Sequence, residues 1–297
     1  MTERIKQLAK EKNAVILAHN YTPPEIQEIA DYTGDSLELS RIAAKTEANT
    51  IVFCGVHFMA ETAKILSPEK TVLIPDEKAG CPMADTITLE NLRDFKARYP
   101  GLPVVAYVNT TAEIKSEVDI CCTSGNALNL VCKLPYDKML FVPDKNLGAY
   151  IQKLVPEKEL ICWQGGCPVH QRITDIDISK CKREHPEALV VAHPECAKEV
   201  LNLADIIAST SGMIREITAS KAKEFIICTE RGLIHQFQKA NPDKIFYNPS
   251  PINICPNMKK NTMEKLLNCL ETGEGEIILS EDIIKKAKTA IERMIEY

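Results

Sequence analysis

The sequence predicts an α/β protein made of three pseudo-symmetric, three-layer αβα domains around a central active site, each with a parallel sheet of about four strands. Two observations support this fold class. Four independent markers recur three times along the 297 residues, with a period of about 87. Within each repeat, short β-branched runs alternate with stretches of helical periodicity, which is typical of parallel strands covered by helices.

The repeat is visible in the apolar runs and in the residues that follow them. AVILAHN, PVVAYVN and ALVVAHP align with one another, as do ADYTGDS, VDICCTS and ADIIAST. Three residue sets keep the register at intervals of 86 or 88: Asp31, Asp119 and Asp205; Ser36, Ser124 and Thr210; Cys81, Cys167 and Cys255. We expect all these markers to lie at the carboxyl ends of strands.

The same register predicts the domain boundaries. We expect the first repeat to span residues 1–86, the second 87–172 and the third 173–273. Residues 274–297 are predicted to form a last strand and helix that pack back on the first repeat. Because no linker is rich in Gly or Ser, the domains should pack closely.

Composition excludes several classes of partner. The net charge is −5, and the chain has one Trp, seven Phe and eight Tyr, so it lacks the positive field and stacking platforms that nucleic acids need. The longest uncharged runs have 14 residues, shorter than the roughly 20 of a membrane helix. The N-terminal segment carries charges and no long apolar stretch, unlike a signal peptide, so we expect a cytoplasmic protein without membrane partners.

The twelve cysteines do not suggest a disulfide scaffold. No Cys-x-x-Cys occurs, which argues against short zinc or thioredoxin motifs. Cys81, Cys167 and Cys255 are each followed by proline and recur once per repeat. If the carboxyl ends of the three sheets face one axis, these thiols meet near one point, as three ligands of a 4Fe-4S cluster or of a zinc ion would. The alternative is that the duplicated domains share a buried cysteine in a turn.

Asymmetric substrates require residues that differ between the repeats. At the end of the first strand the three copies have His19, Asn109 and His193. Two residues later they have Tyr21, Thr111 and Glu195, and two residues earlier only the second copy has a tyrosine, Tyr107. These positions are therefore candidate catalytic groups, although a single histidine at a strand end is more often a hydrogen-bonded core residue.

The sequence resembles the quinolinate synthase family over nearly its whole length. The resemblance lies in seven motifs in the correct order: ILAHNY at 16–21, GDSLELS at 34–40, FMAETAKIL at 58–66, AYVNT at 106–110, GGCPVHQ at 165–171, HPEC at 193–196 and NMKKNT at 257–262. It implies the condensation of iminosuccinate with dihydroxyacetone phosphate to quinolinate, with loss of phosphate and water, on the way to NAD. An L-aspartate oxidase or dehydrogenase would then supply iminosuccinate.

The resemblance also implies a cofactor and site residues. The cofactor is an oxygen-sensitive 4Fe-4S cluster with one open iron, held by Cys81, Cys167 and Cys255. Glu195 is the candidate general acid/base, and Tyr21 and Tyr107 position substrate and relay protons. The implied substrate contacts are His19, Ser36, Tyr107, Val108, Asn109, Ser124, His193, Pro194, Glu195 and Thr210, with His19 and His193 also in catalytic roles.

Alternatives remain at two levels. Ser36, Ser124 and Thr210 would form an anion cradle at three helix N-termini, or would be ordinary helix N-caps. His170 would support the cluster from outside its ligands, whereas we expect His57, His185 and His235 to be structural. For the whole chain, the other candidates are an iron-sulfur enzyme of the diphthamide-synthesis type and a non-catalytic cluster or zinc sensor that binds a small anion.

Overall fold

The computed structural model describes residues 1–296 and contains three four-stranded parallel sheets with one strand order. In each sheet the order by position within the repeat is second, first, third, fourth. Each first strand therefore has neighbours on both sides, which explains why these runs are almost wholly apolar. The predicted fold class is confirmed.

The first sheet contains β1 (Ala14–His19), β2 (Tyr32–Gly34), β3 (Thr50–Cys54) and β4 (Thr71–Leu73). Its helices are α1 (Thr2–Glu11), α2 (Pro24–Ile29), α3 (Ser36–Lys45) and α4 (His57–Leu66).

The second sheet contains β5 (Val104–Tyr107), β6 (Ile120–Cys122), β7 (Lys138–Val142) and β8 (Glu159–Cys162). Its helices are α5 (Leu89–Arg98), α6 (Ala112–Lys115), α7 (Ala127–Lys133), α8 (Lys145–Leu154) and the short α9 (Pro168–Gln171).

The third sheet contains β9 (Leu189–Ala192), β10 (Ile206–Ile207), β11 (Glu224–Cys228) and β12 (Ile245–Tyr247). Its helices are α10 (Asp175–Glu184), α11 (Lys198–Leu201), α12 (Thr210–Ala219) and α13 (Leu233–Ala240), and the chain continues through α14 (Met263–Thr272) to α15 (Glu281–Glu296).

The repeated aspartates are structural and do not lie where the sequence suggested. Asp31, Asp119 and Asp205 precede the second strand of each sheet, and each carboxylate accepts the backbone N–H of a first-strand residue at 2.8 Å. The donating N–H groups belong to Ile16, Val104 and Val190, which lie in the amino-terminal half of each first strand. The expectation that all markers lie at carboxyl ends is therefore wrong for the aspartates, because they anchor the turn that enters the second strand.

A further threefold feature was not anticipated. Lys70, Lys158 and Lys244 occupy equivalent positions, and each Nζ donates to two backbone carbonyls at the C-terminal end of α3, α7 and α12 respectively. An ammonium group at a helix C-terminus satisfies carbonyls that have no partner in the helix and offsets the negative end of the helix dipole.

The largest apolar cluster is central and draws side chains from all three sheets. Two smaller clusters lie on outer faces, one where α1 and α14 cover the first sheet and one where α10 and α11 cover the third. The central cluster packs the domains against one another, which holds the carboxyl ends of their strands in a fixed relation.

The C-terminal segment joins the first two sheets. Helix α15 packs against α3 and α4 of the first and against β6 and α6 of the second. The predicted last strand is reduced to an isolated antiparallel bridge between Glu276 and Leu73. The domain boundaries remain a prediction. None of the helices within residues 1–296 combines the length and apolar character needed to cross a bilayer.

Candidate active site

One cavity lies where the carboxyl ends of the three sheets converge. Twelve of the fourteen different residues predicted for the site line it: His19, Tyr21, Ser36, Cys81, Tyr107, Asn109, Ser124, Cys167, His193, Glu195, Thr210 and Cys255. The other two, Val108 and Pro194, are neighbours of these residues in the chain but are not among the side chains that line the cavity. Ligands of parallel sheets bind at this edge because loops and helix N-termini meet there.

The three cysteines of the cavity sit in equivalent turns. Each Cys-Pro pair opens a 3-10 turn or the short α9, and the two backbone N–H groups that follow the proline lie against the sulfur, lowering the pKa of the thiol. Burial acts more strongly in the opposite direction and raises the pKa of Cys81 to about 12. Burial also raises the pKa values of the Cys167 and Cys255 thiols. Such thiols need a bound cation to become thiolates.

The donor chemistry fits a metal centre. The charge of Cys255 raises the pKa of Cys81, and that of Cys81 raises the pKa of Cys167, so the three sulfurs are close enough to interact. Ligand atoms of Cys167, His170 and Glu195 also lie within 4.8 Å of one another. Three soft thiols from three domains suit iron-sulfur ligation, and the mixed set would suit zinc.

A continuous chain of polar contacts crosses the cavity wall. The Tyr21 hydroxyl lies 2.7 Å from Thr229 Oγ1, which lies 2.9 Å from His170 Nε2. His170 Nδ1 is 2.7 Å from Glu195 Oε2, at ion-pair distance but outside the direction of a hydrogen bond. The Tyr107 hydroxyl donates to the other oxygen of Glu195. Residues from all three repeats thus connect two tyrosines through one carboxylate.

The environment sets the protonation of this chain. Burial lowers the pKa values of His19 and His193 to about 3, so both are neutral near pH 7. Burial also raises the pKa of Glu195, but its interaction with His170 outweighs burial and holds that pKa below its usual value. Burial and the Glu195 charge raise the pKa values of Tyr21 and Tyr107 well above 10. The cavity therefore places the ionised Glu195 carboxylate near two neutral histidines and two protonated tyrosines.

The repeated hydroxyls are not helix caps. The N-caps of α3 and α12 are Asp35 and Ser209, whose side chains accept the N–H bonds that a cap receives, so Ser36 and Thr210 are the first helical residues. Ser124 precedes the cap of α7, and its hydroxyl lies 3.2 Å from Nε2 of His193. None of the three hydroxyls is therefore used as a helix cap.

Besides His170 Nδ1, two polar atoms of the cavity lining have no hydrogen-bond partner within residues 1–296. Asn109 Oδ1 and Thr210 Oγ1 are buried without a hydrogen bond, although such groups are normally satisfied. Both belong to residues predicted to bind substrate, and a ligand with a donor for Asn109 Oδ1 and an acceptor for the Thr210 hydroxyl would complete them.

Sequence reasoning missed several residues of the site. Thr229 follows the third strand of the third repeat, and buried Asp144 and Glu230 follow the third strands of the second and third. Burial and the charge of Glu195 raise the pKa of Asp144 to about 7. His170 lines the cavity, whereas the sequence suggested only that it supports the cluster from outside its ligands. These residues could have been found from the sequence by their position, because the third strand of each parallel sheet ends at the same edge as the first strand.

The other histidines lie outside the cavity lining. His57 is 3.6 Å from Glu61, His185 stacks on Tyr247 with ring centroids 3.5 Å apart, and His235 is 2.8 Å from Glu28. The first contact lies within α4, and the other two join different elements of the scaffold.

Fold and site together define a class of protein: three repeated α/β domains that enclose one cavity and each direct one cysteine into it. The chain belongs to the quinolinate synthetase A family. The sequence profile of that family, described as "Quinolinate synthetase A protein", matches residues 3–296. The resemblance drawn from the motifs is confirmed.

Individual relatives agree with the family profile. The quinolinate synthase of Thermodesulfovibrio yellowstonii is 55% identical over 293 residues, covering 99% of this chain and 97% of the relative. Those of Alkaliphilus metalliredigens and Dehalococcoides mccartyi are 52% and 53% identical over 296 residues, each covering 100% of this chain and 98% of the relative. These matches do not favour the diphthamide-type enzyme or a non-catalytic sensor.

Proposed function

We propose that this chain is a quinolinate synthase, which condenses iminosuccinate with dihydroxyacetone phosphate and releases phosphate and water to give quinolinate for NAD biosynthesis. An L-aspartate oxidase or dehydrogenase would supply the iminosuccinate. The observation that carries the proposal is the single cavity that combines three cysteines, one from each repeat, with the buried carboxylate of Glu195.

Cys81, Cys167 and Cys255 would hold a 4Fe-4S cluster, with the paired N–H groups behind each sulfur favouring the thiolate form. When bound, such a cluster offers an iron without a protein ligand, a Lewis acid that can ease the departure of hydroxide. The remaining chemistry belongs to the side chains of the cavity.

Glu195 is the group best placed to take a proton. It is the ionised member of the contact chain, and the hydroxyl of Tyr107 and Nδ1 of His170 lie against its two oxygens. A proton taken from substrate carbon or nitrogen would rest on Glu195 and return to a leaving oxygen. Tyr21 and Tyr107 stay protonated near neutral pH, so they orient substrate as donors and pass protons by exchange.

The hydroxyls of Ser36, Ser124 and Thr210 would bind the phosphate and carboxylate groups. Ser36 and Thr210 stand in the first turns of α3 and α12, where backbone N–H groups without helical partners favour anions. Asn109, with neutral His19 and His193, would complete the set with hydrogen bonds. Val108 and Pro194 would contribute through the backbone of the same two strand ends.

An anaerobic assay tests the proposal directly. Protein purified without oxygen receives chemically generated iminosuccinate and dihydroxyacetone phosphate, and quinolinate is measured by chromatography. We expect quinolinate and free phosphate in equal amounts. Omission of either substrate should abolish the product. Iron-containing protein that forms no quinolinate under these conditions would refute the proposal.

A further inference from the structure

Two buried carboxylates stand at equivalent positions next to the cavity. Asp144 and Glu230 each come two residues after the third strand of their sheet, and both side chains are 0% exposed. With Val56 of the first repeat they keep the intervals of 88 and 86 residues seen in the other markers. A carboxylate with no access to water is costly unless hydrogen bonds or charges compensate it.

Each carboxylate receives the backbone N–H of a cavity cysteine. Oδ2 of Asp144 accepts from Cys167 N at 3.2 Å, and Oε1 of Glu230 accepts from Cys255 N at 3.0 Å. The second oxygen accepts a backbone N–H two or three residues later in the chain, from Leu147 in the first turn of α8 for Asp144 and from Gly232 for Glu230. Each side chain therefore ties a strand-end loop to a cysteine turn that lies more than 20 residues later in the chain.

The first repeat holds its cysteine turn differently. Val56 offers no acceptor, and the turn before Cys81 is instead tied by His57 N, which donates to the carbonyl of Ala79 at 2.8 Å. The difference makes the two carboxylates specific to the second and third cysteines, so they are not a general requirement of the repeat.

We propose that Asp144 and Glu230 are positioning residues that hold the turns of Cys167 and Cys255 in the conformation that ligates a metal cluster. This inference rests on the proposed function for the identity of the cluster. A hydrogen bond with a buried carboxyl group fixes the orientation of each cysteine N–H, and that orientation constrains the direction of the sulfur. Lys259, whose Nζ lies 3.0 Å from Oε1 of Glu230, compensates the second carboxylate.

The matched substitutions are Asp144→Asn and Glu230→Gln. Each preserves side-chain volume but leaves one acceptor oxygen for two N–H groups, so the loop or the cysteine turn loses its partner. Asp144→Ser is the second variant, because serine still caps α8 but has no second oxygen for Cys167. Thr88→Ala, which removes the cap of α5 away from the cavity, controls for loss of helix stability.

The first readout is the rate at which anaerobically purified protein gives up iron to a chelator. We expect each carboxylate variant to release iron about 10- to 100-fold faster than the unmodified protein, as substitution of groups that orient metal ligands does elsewhere. The Thr88→Ala protein should release iron at the unmodified rate.

The second readout needs no cluster. In the cluster-free chain, alkylation mapped by mass spectrometry should be faster at Cys167 in the Asp144 variants and faster at Cys255 in Glu230→Gln. Cys81 is the internal reference and should react at the unmodified rate in all of them. Faster alkylation at all three cysteines would indicate general loosening and would overturn the positioning role, as would unchanged iron release. An unmodified protein that binds no iron-sulfur cluster would instead refute the proposed function.

Discussion

The Thr229 hydroxyl lies 2.9 Å from Nε2 of His170, and it joins a residue of the third repeat to one of the second. The same oxygen contacts the Tyr21 hydroxyl of the first repeat at 2.7 Å. Thr229 is 0% exposed, so it has no contact with solvent that could replace these bonds. Its hydroxyl therefore joins Tyr21 to the His170–Glu195 pair through two contacts at hydrogen-bond distance.

Loss of the Thr229 hydroxyl should slow proton exchange along this chain. We expect Thr229→Val, which keeps the shape of the side chain, to lower kcat by about tenfold or more, with a smaller change in KM. Thr229→Ser keeps the hydroxyl and should retain most of the activity. Equal kcat values for the valine and serine variants would remove Thr229 from proton transfer.

The cysteines of the cavity should differ from those of the outer core. Single replacement of Cys81, Cys167 or Cys255 by Ser should deplete iron and abolish activity, because each removes one ligand. Cys54→Ser and Cys228→Ser are controls, since both residues are buried in the outer apolar clusters and should mainly lower stability. Iron content and visible absorbance check this, and equal iron loss in all five variants would contradict the ligand assignment.

Glu195 should matter for turnover more than for assembly. Glu195→Gln removes the proton acceptor, so we expect kcat to fall by about 10²- to 10⁴-fold with iron content unchanged. Tyr107→Phe deletes only a donor to that carboxylate and should have a milder effect. Steady-state kinetics and iron analysis on the same preparations check the prediction, and near-normal turnover in Glu195→Gln would contradict it.

The repeated hydroxyls can be tested against an adjacent helix cap. Thr210→Ala should raise KM for one substrate while leaving the melting temperature nearly unchanged, because Thr210 does not cap α12. Ser209→Ala removes that cap and should cost about 1 kcal/mol of unfolding free energy with KM preserved. Ser36→Ala and Ser124→Ala should behave like Thr210→Ala. Lower stability with unchanged KM in these variants would exclude the anion cradle.

Stability should fall on acidification because two histidines are buried in the neutral form. The folded pKa values of His19 and His193 are about 3, below the unfolded value near 6.5, so the unfolded chain binds more protons below pH 6.5. The contribution of the two neutral histidines is therefore complete above that pH and is lost as pH falls from 6.5 towards 3. Between pH 7 and pH 5 each histidine should cost about 2 kcal/mol of unfolding free energy, whereas Asp144, whose folded pKa is about 7, takes up a proton in the folded state and should offset about one of these two losses.

Urea unfolding of the cluster-free chain at both pH values measures this loss. His193→Gln cannot be protonated and should reduce the loss by about 2 kcal/mol. His235→Gln is the control, because the His235 ring lies beside Glu28 near the surface and does not line the cavity that contains His19 and His193. An identical loss in His193→Gln and the unmodified protein would contradict the assignment.

Much of the fold could be predicted from the sequence because the pattern of one structural unit recurs three times. The apolar first strands, the cysteine positions and the parallel αβα class all follow from strict local patterns and a constant spacing. The same spacing misplaced Asp31, Asp119 and Asp205, because periodicity reports that positions are equivalent and not at which end of a strand they lie. The last predicted strand is not formed, and Glu276 makes only an isolated antiparallel bridge with Leu73 of β4.

The sequence by itself determined which residues recur, which repeats differ at the strand ends, and that three cysteines belong to one set. Only the tertiary structure decided which side chains meet: Thr229 reaches Tyr21 across 208 positions of sequence, and Asp144 and Glu230 reach the N–H groups of Cys167 and Cys255. The same holds for Ser36 and Thr210, whose separation from the capping residues depends on where each helix begins. The physical reason is that local patterns set the hydrogen bonding of strands and helices, whereas contacts between repeats depend on how the central apolar cluster orients the three sheets.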